Sequence, residues 1–156
     1  MWDNLFAAAN ILALVMWAAL IFLPRWPALL SAALYLGVGL LCFTYTVSLA
    51  GVLTGFFVSS GGNSSGMGFG SIEGIRSIFA TDAGVTIGWI HYLAFDLFVG
   101  IWIARDADAK AFGRLLQAPI LFATFLAGPL GLLLWLIIRE RRARAGGVRS
   151  NLRVPR

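Results

Sequence analysis

Four apolar stretches, at about residues 5–23, 28–58, 85–104 and 119–138, take up more than half of the chain. At about 1.5 Å of rise per residue, roughly 20 helical residues cover the ~30 Å hydrocarbon layer of a bilayer. A soluble fold could not hide such runs. Of 156 residues, 60% are hydrophobic and 12% charged, against roughly a quarter charged in soluble domains. Backbone polar groups in lipid must be satisfied within the segment, which favours helices. The expected architecture is all-α: a polytopic four-transmembrane-helix bundle over residues 1–138, then a basic cytoplasmic tail over 139–156.

The junctions carry their own signals. Only Asp3 is charged before the first stretch, which ends in Pro24-Arg25-Trp26-Pro27 instead of a small-residue cleavage site, so it reads as a retained span and not a signal peptide. Residues 28–58 exceed one perpendicular crossing, and either tilt or a break near Gly51 and Gly55 is expected. Residues 59–71 are Gly/Ser-rich and read as a loop outside the hydrocarbon. Ile72, Ile75 and Phe79 then recur at helical spacing opposite Glu73, Arg76 and Ser77. Residues 72–80 are therefore expected to form a short amphipathic helix in the headgroup plane, the alternative being an ordinary loop helix packed on the end of the bundle. Asp82 is placed to cap the third span, a hydrophilic link runs from Arg105 to Arg114, and Pro129 is expected to kink the fourth span.

The net charge of +5 comes mainly from the C-terminus. Beside helix ends in so apolar a chain, these arginines point to anionic membrane lipid as partner and not to nucleic acid. With four spans both termini share one side. That side gathers Arg76 and the seven arginines of the tail, against Arg25, Arg105, Lys110 and Arg114 opposite. This favours N-in and C-in. Trp2, Trp26, Trp89, Trp102 and Trp135 fall near span ends, as interfacial indoles do. The single cysteine, Cys42, and single histidine, His91, cannot supply a zinc or iron site from one chain, and no cofactor is expected.

Chemistry concentrates in the third span. Asp96 sits mid-span, at a cost of roughly 2.5–3.5 kcal/mol on insertion scales, so it should face a bundle interior or a cavity. Tyr92 is four residues earlier on the same face; His91, five earlier, is roughly 140° away around the helix. Asp96, His91 and Tyr92 are the candidate catalytic residues. Trp89 and Trp102, with Tyr45, Thr44 and Ser48 of the second stretch, are candidates to line a groove for a flat or elongated apolar ligand. Arg105 and Asp106 are expected at the interface. The same polar residues could instead clasp the third helix to Thr44, Ser48 or Thr124.

The run Gly-Trp-Ile-His-Tyr-Leu-Ala-Phe-Asp-Leu-Phe-Val-Gly-Ile-Trp-Ile from Gly88, then Arg105-Asp106, then Gly128-Pro129-Leu130-Gly131-Leu132-Leu133, resembles the ABA-deficient-four family of small membrane proteins. Ser71-Ile72-Glu73-Gly74-Ile75-Arg76 and Phe79 match it too. Plant members are associated with neoxanthin formation, the isomerisation of an epoxycarotenoid to an allene. The resemblance implies an isomerase-type role in carotenoid or isoprenoid metabolism, with His91, Asp96, Arg105 and Asp106 carried over on motif. It also implies a carotenoid or isoprenoid ligand, with partner enzymes or a homo-oligomer as further associations. The alternative is a non-catalytic carotenoid- or lipid-binding accessory protein. The bias to Ala, Gly and Arg suggests a bacterial inner membrane.

Overall fold

The structure is a computed structural model that describes residues 1–23, 25–58 and 68–151, with side chains described as far as 140. Most of the expected Gly/Ser loop (59–67) and the side chains of Arg141, Arg142 and Arg144 lie outside the described residues. What is described is all helix and turn: α1 (Trp2–Phe22), α2 (Pro27–Leu53), α3 (Ile72–Phe79), α4 (Asp82–Ala109), α5 (Arg114–Leu126) and α6 (Gly128–Asn151). Among the described residues, α1, α2 and α4 are long and apolar enough to cross a membrane, and α5 is a shorter apolar helix. The chain forms two compact units, Met1–Phe98 and Val99–Arg156.

In the first unit Pro27 opens α2 at its first turn, where a missing N–H costs nothing. Residues Ala33–Gly39 of α2 are π-helical. There Gly37 meets Met16 of α1 and Leu97 of α4 so closely that a Cβ would stand 2.9 Å from one and 3.0 Å from the other. The wider turn thus coincides with a close approach of three helices. The break expected near Gly51 and Gly55 falls just after Leu53. Gly55 adopts φ +74°, a left-handed conformation that favours glycine. The chain then folds Phe57 back over Gly51, with the Phe57 N–H donating to the Gly51 carbonyl at 2.9 Å. Trp2 Nε1 donates to the Val58 carbonyl at 3.2 Å, which joins the start of α1 to the end of α2.

Ser71 caps α3, its Oγ accepting the Gly74 N–H at 3.0 Å. The cap of α4 is Thr81, not Asp82: the Thr81 Oγ1 accepts the Gly84 N–H at 3.0 Å, and Asp82 is the first helical residue. The hydroxyl reaches the third amide of the turn directly, leaving the carboxylate exposed beside the helix N-terminus. Part of the expected hydrophilic link is helical as well, since α4 runs on through Asp106 and Asp108 to Ala109.

The second unit corrects the expectation of one kinked fourth span over 119–138. Residue Ala127 is extended (φ −156°, ψ 91°) and separates α5 from α6. The reason lies around Pro129, which has no N–H to continue a helix from Phe125. The Ala127 N–H donates to Ala123, and its carbonyl accepts from Leu130 at 3.0 Å and Gly131 at 3.2 Å, so one residue ends one helix and starts the next. The two helices then lie against each other. Gly131 sits so near Thr124 that a Cβ would collide with its backbone N and Cα as well as its hydroxyl. Pro119 within α5 is accommodated in its second turn.

Candidate functional site

Helix α4 divides its polar residues between two faces. Asp96 is buried, 8% exposed, among Leu93, Ala94 and Leu97, which are buried too. His91 is exposed, as the roughly 140° separation requires. Tyr92 is half-buried. Asp96 and Tyr92 share one side of α4, and His91 belongs to a different surface.

That surface is aromatic. The His91 ring stacks on Phe95 at 4.6 Å (26°) and tilts against Tyr45 of α2 at 5.4 Å (55°). On the side of α4 that carries Asp96, roughly 200° around the helix from His91, Trp89 stacks on Tyr92 at 5.3 Å (21°) and on Phe6 of α1 at 5.9 Å (26°). An amide fixes the indole in place: Trp89 Nε1 donates to Asn10 Oδ1 at 3.0 Å, while Asn10 Nδ2 donates to the Phe6 carbonyl at 2.8 Å. Asn10, the one strongly polar residue of the first stretch, is thereby explained. Its isolation in the sequence was the signal for a functional partner, which reading α4 alone could not supply. Phe95 and Trp89 remain substantially exposed, at 56% and 39%. Flat faces of this kind suit a conjugated, apolar ligand.

Thr44 and Ser48 lie elsewhere in the same unit. They line a cleft of about 320 Å³ with Trp2, Leu5, Phe43 and Phe57, walled almost wholly by apolar groups. Thr124 donates its hydroxyl to the Ile120 carbonyl of its own helix at 2.8 Å. Two of the expected interfacial tryptophans are core residues. Trp2 and Trp135 are buried because each indole N–H has an internal acceptor, the Val58 carbonyl and Asp106 respectively.

In the second unit three side chains hold Asp106. Its Oδ2 accepts from Trp135 Nε1 at 3.0 Å and pairs with Arg139 Nε at 2.9 Å, while Lys110 binds Oδ1. Trp135 packs edge-on against Phe112 at 4.9 Å, and the Arg139 guanidinium lies 6.0 Å from the Trp102 ring centre. Gln117, fully buried, donates to the Phe112 carbonyl at 2.7 Å and to Asp108 at 3.0 Å. Asp106 follows Ala104, where the apolar stretch of α4 ends. Desolvation raises its pKa, but donation by Lys110 and Trp135 and the charges of Arg139 and Lys110 outweigh that, holding it below the usual carboxylate value. Arg105, beside it, is exposed. The sequence pointed to Asp106 but not to Trp135 or Arg139, which the turn at Ala127 brings back to it, nor to Gln117, which reaches Asp108 across the turn between α4 and α5. Among the described residues no three His, Cys, Asp or Glu side chains come together as metal ligands.

Several apolar helices, three of them long enough to cross a membrane, define a helical integral membrane protein. The chain belongs to the ABA DEFICIENT 4-like family, whose model matches residues 4–135. This relates it to the carotenoid and abscisic-acid pathway. No curated protein and no solved structure matches it.

Proposed function

We propose that this chain is a carotenoid-modifying membrane isomerase acting on an elongated polyene bearing an epoxide or a related end group. The observation that carries this reading is the pairing of the His91–Phe95–Tyr45 and Trp89–Tyr92–Phe6 ring stacks with the buried carboxyl of Asp96 on one helix. The stacked rings hold the polyene. Asp96 gives a proton to the epoxide oxygen as the ring C–O bond breaks. A proton leaves the neighbouring carbon for the carboxylate that Asp96 has become, directly or relayed by the Tyr92 hydroxyl, so that an allene results and the acid is restored. Atoms balance without an oxidant or a cofactor. His91, stacked between two rings, serves chiefly as part of that apolar face. Thr44 and Ser48 receive a polar end group in their cleft.

In this reading the protein sits in a bacterial inner membrane, with α3 lying in the headgroup plane on its exposed Ile72 and Phe79. Partner enzymes or a second copy hand the substrate over. The test is coexpression with carotenoid-producing enzymes in a bacterial host, followed by chromatography of the pigments. New isomers are expected in an epoxycarotenoid background. Unchanged profiles in β-carotene, zeaxanthin and violaxanthin backgrounds would remove the enzymatic reading for those substrates.

The packing of the lone histidine as an aromatic ring favours one second reading, a carrier that binds the pigment unaltered. Purification in mild detergent separates the two: a bound, unmodified pigment spectrum supports the carrier, and a transformed product supports the enzyme.

A further inference from the structure

The second unit changes the count of membrane crossings. Helix α5 has 13 residues, about 20 Å of rise, and the apolar part of α6 from Gly128 to Ile138 is shorter still; neither covers a ~30 Å hydrocarbon layer. Their pairing is that of a hairpin. Thr124 meets Gly131 near the turn, while Phe112 meets Trp135, and Asp106 meets both Trp135 and Arg139, at the open end. Arg139 thus returns to the end of α4 that carries Asp106.

The tip suits an apolar medium. Ala127 has both its backbone groups bonded, Pro129 has no N–H to leave unpaired at the start of α6, and the outer side chains Phe122, Leu126, Leu130 and Leu133 are all more than half exposed. The open end is polar: Lys110 and Arg139 share the single carboxylate of Asp106 and leave a surplus of positive charge.

Charge along the sequence agrees with this geometry. With crossings by α1, α2 and α4 alone, the N-terminus and the α2–α4 connection share one side, and everything after α4 lies on the other with Arg25. Of the chain's 12 Lys and Arg, only Arg76 then falls on the first side, alongside Asp3, Glu73 and Asp82. A four-span chain would divide the same residues eight to four.

We propose that residues 114–138 form a re-entrant hairpin that enters and leaves the bilayer on one face, and that this strongly basic face docks on the anionic cytoplasmic leaflet. The N-terminus is then outside and the C-terminus inside, in place of both termini inside. The Gly128-Pro129-Leu130-Gly131 motif serves as the hairpin tip.

The test uses the full chain in a bacterial host with the sole cysteine removed (Cys42→Ser) and single cysteines introduced as Asn4→Cys, Leu115→Cys, Leu126→Cys or Glu140→Cys. A membrane-impermeant maleimide is applied to spheroplasts and to inverted vesicles. Leu115→Cys and Glu140→Cys are expected to label only in inverted vesicles, Asn4→Cys only in spheroplasts, and Leu126→Cys in neither until detergent is added. An epitope tag ahead of Met1 on the otherwise unaltered chain, read by antibody on spheroplasts, guards against misfolded variants and should be accessible. Labelling of Leu115→Cys and Glu140→Cys from opposite faces would overturn the hairpin. Labelling of both from outside, or a tag hidden in spheroplasts, would overturn the assignment to the cytoplasmic leaflet.

Discussion

Replacing Gly131 by alanine probes the junction on which the second unit depends. A Cβ at this position lands against the hydroxyl, the backbone nitrogen and the Cα of Thr124. A flexible side chain could swing aside, but backbone cannot, so α5 and α6 must separate. Overpacking of this kind costs about 1–3 kcal/mol, and the upper half of that range is expected because the obstruction is mostly main chain. Gly113→Ala is the matched control: Gly113 has open space around its Cβ position and an ordinary extended backbone, φ −64° and ψ 142°. That variant should be neutral or gain a few tenths of a kcal/mol from a less flexible unfolded chain. Thermal unfolding in one detergent, followed by size-exclusion chromatography, compares the three proteins. Thr124→Ala added to Gly131→Ala should recover only a minor part of the loss, because it removes Oγ1 and leaves the other two contacts. A Gly131→Ala protein as stable as the parent would refute the close approach and the hairpin built on it.

Two further outcomes follow from the same unit. Ala111 adopts φ 54° in the turn between α4 and α5, a conformation costing a residue with a Cβ roughly 1 kcal/mol, so Ala111→Gly should raise the detergent melting temperature. Asp106→Asn keeps the shape but loses the charge that holds Lys110 and Arg139, and should cost about 1–2 kcal/mol. Because the folded state depresses the Asp106 pKa, its stabilisation is fully present above the ordinary value of 3.8 and is lost as pH falls through the lower folded value. The difference in melting temperature between parent and Asp106→Asn should therefore be steady near neutrality and shrink only in strong acid.

The helical class, the three long helices and the placing of Asp96 were legible because they rest on local properties: run length, backbone hydrogen bonding and the cost of a charge in lipid. The break after Leu53 was legible in Gly51 and Gly55 for the same reason. The turn at Ala127 was not, since nothing marks alanine as a turn residue. Pro129 announces a disturbance but not whether it bends a helix or ends it, a choice settled by Gly131 against Thr124. Trp135 and Arg139, as partners of Asp106, were hidden behind that same turn. Tryptophan misled in another way, because an indole near a span end is equally at home in an interfacial belt or in a core with an acceptor, and Trp2 and Trp135 found acceptors. Within the candidate site the helical angle correctly separated His91 from Asp96, yet which rings would flank His91 depended on the neighbouring helix that brings Tyr45.

The most direct measurement of the functional account is pigment conversion by Asp96→Asn in the epoxycarotenoid-producing host, with the amount of membrane-inserted protein measured in parallel. Asparagine preserves size and much of the hydrogen bonding but cannot deliver a proton. The account predicts normal insertion, an unchanged elution profile in detergent and loss of the isomerised product. Full conversion by Asp96→Asn would contradict it and reduce Asp96 to a buried tie between helices.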